Sequence, residues 1–255
     1  MLPPPGAPRR VAEVDLILPD WPAPPGVRAA VTSRRGGVSG GPFASLNLGA
    51  HVGDDPLAVA TNRARLRAAL QLPAEPLWLE QVHGAEVARF GGPAAPPRAD
   101  AAVTAGAGEV CAVMVADCLP VLFAARAGSA IGIAHAGWRG LAAGVLERTL
   151  EAMALPAGDV IAWLGPAIGP DAFEVGDEVR AAFCAQDPGA GRHFVANPRG
   201  RWWADLAGLA RDRLAAAGVA AVYGGGLCTV ADPGRFFSYR RDGITGRFAA
   251  LIWLA

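Results

Sequence analysis

Short apolar runs recur along the chain, set apart by stretches rich in Gly, Pro and Asp. Val27 to Thr32, Leu77 to Val82, Glu86 to Phe90, Ala101 to Thr104, Val110 to Ala116, Val121 to Ala124 and Ala130 to Ala134 have strand length. So do Val160 to Leu164, Ala220 to Tyr223 and Phe248 to Leu254. Over Leu141 to Met153, Asp177 to Ala185 and Ala204 to Ala217 the pattern changes: apolar positions recur at three and four among Ala, Leu and Arg, which predicts helices. Asp54-Asp55-Pro56 supplies an acidic cap and a first-turn proline for a further helix reaching about Leu70. Ser33 to Gly53 and the Pro/Ala stretch Gly91 to Arg98 read as loops. Strands and helices mix without regular βαβ alternation. The pattern therefore predicts an α/β (α+β) layered fold, with mixed β-sheets flanked by helices rather than a doubly wound parallel sheet. No repeat period stands out and no linker divides the chain, so residues 1–255 are expected to form one domain.

Composition narrows the picture. The 255 residues are 52% hydrophobic and 18% charged, ordinary for a folded globular protein. Formal net charge is zero and no long block of like charge occurs, so the electrostatic footprint of a nucleic-acid binder is missing. All 23 basic residues are Arg, which excludes a lysine Schiff base and a P-loop lysine. The most apolar stretch, Val110 to Ala125, is interrupted by Asp117 and Pro120 and is too short to span a bilayer. Met1 to Arg10 has no apolar core of signal-peptide length. A cytoplasmic protein with no membrane partner is expected, as a monomer or homodimer. The four cysteines, Cys111, Cys118, Cys184 and Cys228, lie far apart without a Cys-x-x-Cys pair, which argues for reduced thiols and against a structural zinc ribbon.

Candidate chemistry sits where apolar runs end. His135 closes one run and opens a helical-looking segment; Cys118 closes another; His83 follows Pro76-Leu-Trp-Leu79. One thiolate and two imidazoles are the donors of a zinc site that keeps one position open for water or substrate. Taken singly, each is more often an ordinary core or surface residue; the motifs around them shift the balance. Cys111 stands an odd number of residues from Cys118 and should face the other way along a regular strand, as a packing residue. Cys184 falls among Ala and Phe on a predicted helix, where a free thiol acts as a small hydrophobe. Cys228 is left open. His51 and His193 lie in loop-like surroundings and are expected to face solvent or bond locally.

Gln81-Val-His-Gly84, Ala116-Asp-Cys-Leu-Pro120 and His135-Ala-Gly-Trp-Arg-Gly140 resemble the three signature motifs of the laccase-domain family, also called the polyphenol oxidase or purine nucleoside phosphorylase family. Thr32 to Ser39, Leu46-Asn-Leu-Gly49, Asn62-Arg63, Gly165-Pro-Ala-Ile-Gly169, Phe237 to Asp242 and Gly246-Arg247 resemble further blocks in the family's order, so the resemblance spans nearly the whole chain. It implies zinc ligation by His83, Cys118 and His135. It also implies phosphorolysis of adenosine, inosine and methylthioadenosine to the free base and (methylthio)ribose 1-phosphate, with adenosine deamination as a second activity and purine nucleoside and phosphate as partners. A multicopper oxidase is excluded by ligand count: the chain has four His and no His-x-His pair, so copper enters only as an adventitious occupant of the one site.

Each activity asks for particular residues. Deamination needs an activated water and an acid or base, for which Asp117 beside Cys118 is the candidate, although strand alternation aims it elsewhere. Phosphorolysis needs an anion site. Arg34, Arg139 and Arg240 are candidates because a guanidinium grips phosphate as a fork, and Arg139 precedes a helix start expected at Leu141. Asn47 is a candidate for the ribose or base, and Trp138 and Phe237 for stacking on a purine. A different reading makes Cys118 a covalent nucleophile and His135 its base, in an amidohydrolase or deamidase acting on a cell-wall precursor. It leaves His83 without a role.

Overall fold

The computed structural model describes residues 9–11, 14–91 and 96–255. Most of the Met1 to Arg10 segment and the middle of the Gly91 to Arg98 loop lie outside the described residues. In chain order the elements are β1 (Arg9–Val11), β2 (Val14–Ile17), β3 (Val27–Thr32), α1 (Pro56–Leu70), β4 (Val87–Arg89), β5 (Ala101–Thr104), β6 (Val110–Val115), β7 (Leu119–Ala125) and β8 (Ile131–Ala136). Then follow α2 (Trp138–Ala142), α3 (Val145–Met153), β9 (Val160–Leu164), β10 (Glu174–Val175), α4 (Asp177–Cys184), β11 (Phe194–Ala196), β12 (Trp202–Ala204), α5 (Leu206–Ala216), β13 (Ala221–Gly224), α6 (Tyr239–Asp242) and β14 (Phe248–Leu254).

Three sheets result. A five-stranded antiparallel sheet runs β1-β2-β3-β14-β6. A six-stranded sheet runs β13-β9-β7-β8-β5-β4, parallel at its two outer pairs and antiparallel between them. A small antiparallel sheet, β10-β12-β11, stands apart. The fold is thus mixed, as the irregular order of strands and helices predicts.

Side-chain alternation then fixes the layers. Along β7, Leu122 and Ala124 pack between the two large sheets, while Val121 and Phe123 face helices. Along β6, Cys111, Val113 and Val115 point between the sheets, and Val110, Ala112 and Met114 point away toward Leu66 and Ala69 of α1. Leu141 of α2, Leu146 and Leu150 of α3, Phe183 of α4 and Leu209 of α5 cover the outer face of the six-stranded sheet. The order is helix, sheet, sheet, helices. A strand covered on both faces is apolar at every position, which is why β6, β7 and β8 read as unbroken runs. Each fully buried Leu, Val or Phe contributes roughly 1.5–3 kcal/mol of apolar transfer. Cys111 is part of this inner layer, where burial first, and Glu109 second, drives its thiol pKa strongly upward. It packs, as its parity predicts.

Some elements depart from the sequence pattern. Leu77 to Val82 forms no strand; Leu77 and Glu80 make single bridges to Cys111 and Arg98. The helix expected over Leu141 to Met153 starts earlier and is cut in two at Gly144, whose φ of 91° an L side chain rarely adopts. The helix expected from Ala204 begins at Leu206, because the Asp205 carboxylate accepts from the Gly208 N–H and caps it there. Ala204 instead ends β12. Strands β1, β2 and β10 to β12 were not legible, being short or broken by polar and aromatic residues.

Candidate metal centre

The chain passes from one large sheet to the other over residues 116–118, between the end of β6 and the start of β7. Asp117, at the middle of this crossing, has a φ of 93°, in the region L residues seldom occupy. Its side chain holds it there. One carboxylate oxygen accepts from Thr229 Oγ1 at 2.6 Å and the other from the Arg240 N–H at 2.7 Å. Cys118 follows directly and lines a cavity of about 480 Å³.

His135 reaches the same floor from β8, whose register sets it opposite Pro120, two residues after Cys118. His83 comes from the loop before β4, with φ 60°. Two anchors position that loop. The Gln81 side-chain amide exchanges a pair of 2.8 Å hydrogen bonds with the N–H and C=O of Met114, imitating a strand neighbour for β6. Asp100, wholly buried, accepts from the N–H groups of Val82, His83 and Gly84 at 3.1, 2.9 and 2.7 Å. The same carboxylate lies 2.8 Å from His135 Nδ1, so it orients one imidazole through its ring and the other through its backbone. Gly137 leaves the space these groups occupy: a Cβ there would lie 2.9 Å from Cys118 Sγ and 3.1 Å from His83 Cδ2.

Donor atoms of His83, Cys118 and His135 lie within 4.8 Å of one another, and this is the one such cluster among the described residues. The imidazole rings meet edge to face with centroids 4.9 Å apart. Burial opposes ionisation of Cys118, but the charge and hydrogen bonding of His135, followed by those of His83, outweigh it and bring the thiol down to about 6. Burial likewise opposes protonation of His135, and Cys118 and Asp100 outweigh it, raising the imidazole to about 9. A thiolate and two imidazoles, one braced by a carboxylate through its far nitrogen, fit a borderline-soft ion such as zinc.

Of the residues singled out in the sequence, His83, Cys118, His135, Asp117, Arg139, Arg240 and Trp138 line the cavity. Arg34, Asn47 and Phe237 are not brought to it. Arg34 donates to the carbonyls of Ala44 and Pro233 and stacks on Phe237, which is wholly buried. Asn47 is wholly buried in a hydrogen-bonded loop. Arg139 lies inside the five-residue α2 rather than ahead of a helix, so its place in the site rests on the cavity and not on a helix start. Its guanidinium stacks on Trp138 with 4.4 Å to the ring centroid. Arg240 donates to the Glu174 carbonyl at 2.8 Å and lies over Phe173. His51, Phe173, Tyr239 and Arg247 also line the cavity, and Asp100 stands behind it; sequence reasoning assigned none of them a role. His51 is exposed at the cavity edge, in keeping with the expectation that it faces solvent or bonds locally. Partial desolvation, then Arg247 and Arg63, lower its imidazole pKa.

A mixed-sheet α/β fold with one thiol and two imidazoles converging on a cavity floor defines a class of proteins with a cluster able to hold a metal ion. Within that class the chain belongs to the family described as multi-copper polyphenol oxidoreductase laccase, whose model matches residues 28–255. It is 57% identical over 240 residues to a protein of Pseudomonas aeruginosa named purine nucleoside phosphorylase, covering 93% of this chain and 98% of that one. YfiH of Escherichia coli K12, also named purine nucleoside phosphorylase, is 55% identical over 240 residues, covering 94% and 98%. The crystal structure of a Neisseria meningitidis protein superposes with a TM-score of 0.89 at 51% identity, covering 94% of this chain and 98% of that one. No helix among the described residues is long and apolar enough to cross a membrane.

Proposed function

We propose that the protein is a zinc-dependent purine nucleoside phosphorylase that cleaves adenosine, inosine and methylthioadenosine, with adenosine deamination as a side activity. The observation that carries this reading is the convergence of His83, Cys118 and His135 on the floor of a cavity edged by Arg139 and Arg240 and by aromatic rings. The names of the relatives at 55–57% identity support the reaction class. Zinc held by those three residues would supply a Lewis acid and lower the pKa of a bound water. The protein groups do the rest. Trp138, Phe173 and Tyr239 offer faces and edges to a purine, and the Arg139 and Arg240 guanidinium groups draw phosphate to the cavity. Asp117, sequence candidate for acid or base, has both oxygens committed to Thr229 and Arg240. In this reading it holds Arg240 in place instead, and copper is an adventitious occupant.

One observation favours a second reading. Cys118, His135 and Asp100 form a thiol, imidazole and carboxylate in series, with the thiol pKa lowered and the imidazole raised, as a cysteine hydrolase acting on a cell-wall precursor amide requires. Alkylation separates the two. A sulfur ligated to zinc reacts slowly with iodoacetamide until a chelator removes the metal, and Cys118→Ser loses bound zinc. Fast, chelator-independent alkylation of Cys118, with zinc content unchanged in the Ser variant, would establish the thiol hydrolase instead.

A further inference from the structure

Three stretches, Leu46 to Gly49, Asn62-Arg63 and Gly246-Arg247, meet around the loop that carries Asn47. Asn47 Oδ1 accepts from the Arg247 N–H at 2.8 Å and the Gly49 N–H at 2.9 Å, and its Nδ2 donates to the Gly49 carbonyl at 3.2 Å and to Asp54 Oδ2 at 2.9 Å. Every polar function of the amide is committed, so none is left for a ligand. Asn62 Nδ2 in turn donates to the Asn47 carbonyl at 2.8 Å. A Cβ at Gly49 would lie 2.9 Å from Arg247 Cγ, so the loop closes on the arginine stem.

Arg247 itself is half-buried and lines the cavity. Its Nη1 donates to the Thr245 and Gly246 carbonyls, both at 3.0 Å, which fixes the plane of the guanidinium. Nε and Nη2, the edge that grips two oxygens at once, have no protein acceptor among the described residues. The carboxylate that faces the same cavity, Asp117, is committed elsewhere. Arg139 and Arg240 are more exposed, and their guanidinium groups stack on Trp138 and Phe173. A charge further from bulk water attracts an anion more strongly.

We infer that Arg247 is the residue that grips an oxyanion beside the metal-ligand triad, the phosphate co-substrate in the reading above, and that Asn47 serves only to position it. The inference rests on that reading for the identity of the anion and on the geometry for the site. Inorganic phosphate binding to the purified protein, followed by calorimetry alongside zinc content and unfolding midpoint, tests it without turnover. Arg247→Gln should weaken phosphate binding roughly tenfold or more, and Arg247→Lys should recover part of it, since a point charge replaces a fork. Arg28→Gln, on the exposed side of β3, should bind as the parent does. In turnover, Asn47→Ser should raise the KM for phosphate while leaving that for nucleoside near its original value, a split that general destabilisation does not produce. Equal phosphate binding by the parent and a folded, zinc-bearing Arg247→Gln variant would overturn the inference, as would a parent that binds no phosphate. Phosphate held through Arg247 by a protein that cleaves no nucleoside would uphold the anion site and defeat the phosphorylase reading.

Discussion

Each oxygen of the Asp100 carboxylate faces two N–H groups: Oδ1 those of His83 and of the His135 ring when Nδ1 carries the proton, Oδ2 those of Val82 and Gly84. An asparagine of the same shape has one oxygen and one NH₂, so in either orientation a donor meets two donors. Asp100→Asn is therefore expected to weaken zinc binding by about 10–100-fold in a chelator competition, and unchanged affinity would contradict the bracing role. Gly137→Ala should act more directly, since its methyl would fall within 2.9 Å of Cys118 Sγ; metal analysis of the purified variant should find little zinc. The three residues of the cluster, His83, Cys118 and His135, were legible because each ends or follows an apolar run inside a distinctive motif. Asp100, His51 and Arg247 were not. Asp100 reads locally as one more loop acid, and its partners at 82–84 and 135 become neighbours only once β5 pairs with β4 and β8. Arg247 was visible in a motif, but its role emerges from Asn47, 200 residues earlier.

At the scale of elements, tertiary pairing decided the cases that periodicity misjudged. Leu77 to Val82 has the composition of a strand, yet its contact with β6 near the site is made by the Gln81 side chain in place of a backbone ladder. Gln81→Ala would leave the Met114 N–H and C=O without those partners. A cost of about 1–3 kcal/mol follows, with faster deuterium exchange over residues 80–84; unchanged exchange there would show that Gln81 does not anchor the His83 loop. The break between α2 and α3 was hidden because Gly144 sits among good helix formers, and only its φ of 91° marks the turn. Gly144→Ala should cost roughly 1–2 kcal/mol in denaturant unfolding, since a Cβ disfavours that backbone region. Where a strand is covered on both faces, as β7 and β14 are, sequence and structure agree closely.

Across the whole molecule, the inner layer between the two large sheets ties the helical layers together, because β6, β7 and β14 each present side chains to two clusters. The reading of residues 1–255 as one domain predicts a single calorimetric transition for the metal-depleted protein, with matching calorimetric and van't Hoff enthalpies; two separable transitions would refute it. The same layering puts the crossing at 116–118 between the sheets, so that Cys118 from one strand exit, His135 from another and His83 from a pinned loop share one cavity. The proposed chemistry of that cavity is tested most directly by incubating inosine with the zinc-bearing protein, with and without inorganic phosphate, and quantifying base and sugar products. Phosphorolysis predicts hypoxanthine and ribose 1-phosphate in equal amounts, formed only when phosphate is present. Hypoxanthine released at the same rate without phosphate, or no release at all, would contradict it.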